Sequence, residues 1–167
     1  MSATWCEDIE HLSQYLGRTR HPSSPGLKLR CGGLTADAFP SPEQVAFFIN
    51  RCRAEALAWE ATAGLHHPRR HWDKSLQLWH HGFFNVFGAG LLASTHALTD
   101  TDIAAILLDR EAEHFHFTED RLSWKNWSCT VNQIVEYRSR AATTFGSCSF
   151  DEPCADLTAL GLLDAEG

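Results

Sequence analysis

The stretch GLKLRCGGLTADAFPSPEQVAFFINRCRAEALAWEATAG, residues 26–64, decides the fold. Leu27 and Leu29 alternate with Lys28 and Arg30, and two glycines follow, so the segment reads as a short strand that runs into a turn. Ser41 is a good N-cap, Pro42 suits the first helical position, and Gln44 completes a capping-box pattern. The spacing then predicts a helix over 41–56, with Val45, Phe48, Ile49 and Cys52 as its buried stripe. LAWEATAG, residues 57–64, reads as a second strand that ends at Gly64. A strand–helix–strand unit of this kind is normally a right-handed parallel crossover within a larger α/β sheet or barrel.

Outward from this unit, Trp5, Ile9, Leu12 and Leu16 mark one face of a helix over 4–17, and RTRHPSSPG (18–26) is a turn-rich linker. On the other side, LHHPRRHWDKSLQLWHH (65–81) reads as a loop dense in histidine and tryptophan. GFFNVFGAGLLASTHA (82–97) is apolar nearly all round and predicts a buried helix, too short for a membrane span. Thr99 or Thr101 can cap a short helix over 101–110, and HFHFTEDRLSWKNW (114–127) alternates as a hairpin does. Thr130 caps a helix through about Thr143, with Val131, Ile134 and Val135 inward. FGSCSFDEP (145–153) then reads as a loop, and a last helix runs from about Cys154 to Leu160. The expectation is one α/β domain over 1–167, either a partial (β/α)-barrel or a small open parallel sheet, with a helix-rich C-terminal part. Its parts are an N-terminal helix and linker (1–26), a core (27–97), and helices with a hairpin (98–167).

Composition narrows the function classes. With 44% hydrophobic and 21% charged residues the chain is an ordinary globular one, and a net charge of −7 argues against nucleic-acid binding. Apolar runs broken by His, Gly or charge argue against a membrane span. Acids near the start, with no basic-then-apolar leader, argue against secretion. None of the six cysteines forms a C-x-x-C pair, which excludes zinc-ribbon and thioredoxin-like motifs and fits reduced, mostly buried thiols in a cytoplasmic protein.

Five segments in order, LKLRCGGLTADAFPSPEQVAFFI (27–49), EATAGLHHP (60–68), HHGFFNVFGAG (80–90), FGSCSFDEP (145–153) and LTALGLL (157–163), resemble the C-terminal half of an uncharacterised bacterial protein family. The resemblance covers about residues 27–163. It implies that longer relatives carry a further half before the K-L-R-x-G-G segment, and it implies architecture and candidate positions rather than an activity. Where that family usually has Lys, this chain has Glu60, so no role of a lysine amine carries over to that position. A closed barrel needs about 250 residues. The expectation is therefore an open sheet, or a homo-oligomer or partner chain that supplies the missing half.

In parallel α/β units, function sits beyond the C-terminal ends of the strands. Both predicted strands end on one side, which converges Lys28, Arg30, Gly32, Gly33, Glu60, Thr62, His66 and His67 on one mouth. Lys28 and Arg30 lie two apart and share a face. They read either as an anion clamp assisted by the glycine amides, or as edge residues paired with acids. Lys28 is also, more remotely, a candidate Schiff-base amine. His66 or His67 is a candidate general acid or base, with Glu60 as its orienting or polarising partner; the bland alternative is a histidine bonded to loop carbonyls. Asn85 on the first turn of the buried helix, and Cys148 and Ser149 in the F-G-S-C-S-F loop, are candidate pocket residues.

His67, His71, His80 and His81 form a candidate ligand set for a divalent metal (Zn, Fe, Mn or Ni), although no fixed-spacing metal motif supports it and loop histidines commonly just hydrogen-bond. Three functions follow. The first is an enzyme acting on a small anionic metabolite by proton transfer (lyase, isomerase or hydrolase). The second is a metal-dependent hydrolase or lyase that uses the 66–81 loop. The third is a non-catalytic half-domain acting as a subunit or binding module.

Overall fold

The structure, a computed structural model, describes residues 4–19, 21, 25–147 and 149–164. The strand–helix–strand unit forms as its residues dictate: β1 (Leu27–Arg30), α2 (Pro42–Ala54) and β2 (Trp59–Thr62), preceded by α1 (Trp5–Arg18). Ser41 and Gln44 make the reciprocal capping box at the start of α2. β1 and β2 pair in parallel, Lys28 beside Glu60 and Arg30 beside Thr62. The 65–81 segment is not all loop. It contains a hairpin, β3 (His71–Asp73) and β4 (Leu78–His80). α3 (Phe83–Thr95) is buried as its apolar girth requires, and α4 (Asp100–Leu108) is capped by Thr99. The 114–127 region is a three-stranded antiparallel meander, β5 (Phe115–Phe117), β6 (Arg121–Trp124) and β7 (Trp127–Thr130).

The largest departure from expectation comes next. Thr130 caps α5 (Val131–Arg140), but the chain then leaves the helix and forms β8 (Ala142–Gly146), a third parallel strand against β2. The sheet order is β1–β2–β8, open rather than closed into a barrel. The inward face of α5 is also not the one expected. Val135 is 62% exposed and Val131 is exposed too, while Ile134 packs on the core and Tyr137 is buried. The reason is tertiary: Trp59 of β2 donates from Nε1 to the Tyr137 hydroxyl (3.1 Å) and turns that face inward. α6 (Asp151–Ala159) ends the described elements. Among the described residues, no helix is long and apolar enough to cross a membrane.

The sheet is two-faced. Leu27, Leu29, Trp59 and Ala61 are buried toward the helices, with Phe48, Ile49, Val86 and Leu92. Trp59 stacks on Phe87 (centroids 5.6 Å apart). Cys31, Cys52 and Cys129 lie in this interior, where burial pushes the first two thiols up to about 12 and the third to about 11, so all three are inert at neutral pH. Cys6 and Cys154 are exposed free thiols, so three of the five described cysteines are buried.

Two polar side chains expected at a site are instead interior ties. Asn85 is fully buried. Its Nδ2 donates to the Ile106 and Asp109 carbonyls (2.8 Å each), and its Oδ1 accepts from the Arg70 amide (2.8 Å). The amide is spent on joining α3, the end of α4 and the start of the hairpin, which takes Asn85 out of the pocket set. His81 is 1% exposed and its Nε2 donates to the Pro40 carbonyl (2.8 Å), tying the hairpin to the segment before α2. Its Nδ1 has no hydrogen-bond partner among the described residues. Burial, opposed by the Pro40 bond, holds its pKa down to about 4, so the ring is neutral at pH 7.

Gly64 lies at φ +69°, after Ala63 at +61°, and a Cβ there would stand 2.9 Å from the Cys31 carbonyl oxygen. Gly64→Ala is expected to cost about 2 kcal/mol in chemical denaturation; a loss below about 0.5 kcal/mol contradicts the close approach. The histidine gives a pH signature. Its folded pKa is depressed below the unfolded value, so its stabilising contribution is complete above about pH 6.5 and is lost as pH falls toward 4. Denaturation of wild type and His81→Gln at pH 7 and 4.5 should show the variant losing less stability in acid, by about 2 kcal/mol. Parallel profiles contradict a buried neutral His81.

Candidate functional site

Alternation places Lys28, Arg30, Glu60, Thr62, Thr144 and Gly146 on the sheet face away from the buried residues, in two rows: Lys28–Glu60–Thr144 and Arg30–Thr62–Gly146. In the first row both oxygens of Glu60 are engaged. Its Oε1 lies 2.6 Å from Lys28 Nζ, and its Oε2 accepts from the Thr144 hydroxyl (2.6 Å). The Lys28 side chain is 65% exposed, so the pair contributes only about 0–1 kcal/mol, but it sets the charge of the face. Lys28 is thus an ion-paired surface ammonium rather than a desolvated amine, which is the paired-edge reading and removes the Schiff-base role. Glu60 belongs to Lys28 and Thr144, not to a histidine.

In the second row, the Arg30 guanidinium lies over Gly33 and donates from Nε to the Gly32 carbonyl (2.8 Å). Its terminal nitrogens donate to no described residue, which leaves Arg30 as the cation with spare donors on this face. Gly146, opposite Thr62, has room for no side chain: a Cβ there would stand 2.8 Å from Thr62 Cγ2.

The loops that follow β1 and β2 touch backbone to backbone. A Cβ on Gly32 would stand 2.8 Å from Gly64 Cα, and the Cys31 amide donates to the Thr62 carbonyl (2.8 Å). Leu65 is buried just beyond, which anchors the chain before His66 and His67. Both histidines then meet α6. His66 Nδ1 is 2.8 Å from Glu152 Oε2, and His67 Nδ1 is 2.6 Å from Asp156 Oδ2. Glu152 and Asp156 are four apart and share a helix face. A carboxylate only accepts, so each histidine donates from Nδ1, and in the neutral ring the lone pair is then on Nε2. Glu152 and Asp156, not Glu60, are the orienting partners. α6 has no side-chain cap bond, and the Glu152 carboxylate is directed to His66.

A second group of rings continues from His67. His71 lies edge-on to it (centroids 4.1 Å apart), and His80 is 5.0 Å from His71. Burial and then the His67 charge hold His71 down to about 4. Burial also lowers His80, against the pull of Asp73, whose Oδ2 is 3.4 Å from its Nε2. Asp73 is itself held at about 2, first by the Ser75 hydroxyl and then by the Leu76 amide. Among the described residues, no group of three or more His, Cys, Asp or Glu side chains is arranged to hold a metal ion. Of the four expected ligands, His67, His71 and His80 lie ring to ring, while His81 is turned into the interior toward Pro40. Ser149 sits in the turn before α6, its carbonyl accepting from the Ser147 hydroxyl (2.6 Å). Cys148 lies outside the described residues.

The two described cavities are lined by none of Lys28, Arg30, Glu60, His66 and His67. One of about 480 Å³ sits at the opposite end, walled by Trp59, Tyr137, Arg53 and Arg140. An apolar one of about 330 Å³ runs beside β8, lined by Phe83, Phe87 and Phe145. No family model, no curated protein and no solved structure matches this chain.

Proposed function

We propose that the chain is an enzyme that moves a proton on a small anionic metabolite at the mouth of the β1–β2–β8 sheet. The observation that carries this reading is the pair of adjacent histidines at the end of β2, each backed through Nδ1 by a carboxylate of α6. A carboxylate behind an imidazole fixes its tautomer and stabilises the imidazolium that forms when Nε2 takes a proton. His67 is the assigned general base and acid, its Nε2 facing away from Asp156, and His66 is the second such group. Arg30 supplies the anion contact, because Lys28 is neutralised by Glu60 while the terminal nitrogens of Arg30 stay available. The Gly32–Gly33 backbone brings the substrate close to the sheet. The Lys28–Glu60–Thr144 row is a fixed polar floor. A lyase, isomerase or hydrolase uses this kind of chemistry.

Two readouts separate binding from proton transfer. In calorimetric titration with oxalate as a minimal dicarboxylate probe, Arg30→Ala should weaken binding about ten-fold or more, while His67→Gln stays within about three-fold of wild type. Solvent-deuterium exchange into 2-oxo acids should fall about 10²–10⁴-fold in His67→Gln. Oxalate binding that survives Arg30→Ala contradicts the anion contact, and exchange that survives His67→Gln contradicts the base.

A further inference from the structure

The hairpin carries a feature that the mouth does not use. Trp79 on β4 has two guanidiniums against its ring: Arg110 Cζ is 4.8 Å from the ring centroid and Arg70 Cζ is 5.9 Å. The two arginines come from different elements. Arg70 immediately precedes β3, and Arg110 follows the end of α4. Asn85 holds these together, because it accepts from the Arg70 amide and donates to the Asp109 carbonyl. The juxtaposition is therefore built on a buried tie rather than on flexible surface loops.

Neither guanidinium forms an ion pair among the described residues. Glu43 acts on Arg70 only at longer range. Arg70 is half-buried, its Nη1 is shielded from solvent, and that nitrogen donates to no described residue. Burial, and then the like charge of Arg110, both disfavour the Arg70 cation, which a folded chain tolerates better with a counter-ion in place. Buried N–H donors without acceptors are rare in native proteins and call for a partner from outside the chain. Two planar forks of N–H donors match a tetrahedral oxyanion, which has enough acceptor oxygens to meet both.

We propose that Arg70 and Arg110, set against Trp79, form a binding site for a phosphate group, free or carried as an ester on a small metabolite. The site uses none of the residues assigned to proton transfer, so it stands or falls apart from that reading.

The test is calorimetric titration of the full chain with inorganic phosphate, with potassium chloride at matched ionic strength as the blank. Saturable phosphate binding is expected in wild type. It should weaken about ten-fold or more in Arg110→Gln, an exposed position where the fold is safe, and likewise in Arg70→Gln, while Arg30→Ala stays within about two-fold of wild type. Glycerol 3-phosphate separates the two sources: tighter binding of the ester identifies a phosphorylated metabolite, and tighter binding of inorganic phosphate identifies the free ion. Three results overturn the proposal: no saturable phosphate heat above the chloride blank, an Arg110→Gln titration that matches wild type, or loss of binding in Arg30→Ala with retention in Arg110→Gln, which would place the phosphate at the mouth.

Discussion

The contact on which the rest depends is the one between Gly32 and Gly64. Two parallel strands deliver their loops to the same end of the sheet, and these loops pass with backbone against backbone, with no room for a Cβ on either residue. Consecutive left-handed residues, Ala63 and Gly64, turn the chain sharply there. Leu65 then drops into the core, and His66 and His67 reach the carboxylates of α6. A side chain at either glycine would push the loops apart and carry the histidines away from α6. The turn is thus a backbone device whose product is the position of two imidazoles.

From that point the charges arrange themselves by proximity. The polar face of the sheet is not a free patch of positive potential, because Glu60 takes both Lys28 and Thr144. The histidines are not a bare cluster either. Those nearest the mouth are backed by acids of α6, while His71, His80 and His81 are held below their ordinary pKa chiefly by burial. The imidazoles therefore divide into two kinds within one stretch of chain. Those nearest the mouth have Nδ1 held by a carboxylate, and those surrounded by protein are set up to stay neutral.

Much of this was legible in the sequence and some was not, for identifiable reasons. The β1–α2–β2 unit was readable because its signals are local: period-two alternation in 27–30, Ser41-Pro42 with Gln44, and glycines at the ends. The buried α3 was readable from its apolar girth. β8 was missed because the Thr130 capping box opens a helix whose pattern can be run on through Thr143, while ATTFG is too short to announce a strand and owes its state to pairing with β2, far away in the chain. The same distance hid the carboxylates. Glu152 and His66 are 86 residues apart, and Asp156 and His67 are 89 apart, so nothing near the histidines points to them. Asn85 and His81 went wrong in the opposite sense, since polar residues beside a predicted mouth look functional until their buried partners are seen. Arg70 and Arg110 carry no local signal, and only the fold brings both to Trp79.

The central claim is that the α6 carboxylates fix His66 and His67 with the proton on Nδ1 and the lone pair on Nε2. Long-range nitrogen–proton correlation NMR of the imidazole rings reads this directly, with Asp156→Asn as the comparison. The account predicts a neutral His67 protonated on Nδ1 in the native chain and redistribution toward the Nε2-protonated form in Asp156→Asn. A native His67 that carries its proton on Nε2, or one indifferent to Asp156→Asn, would contradict it.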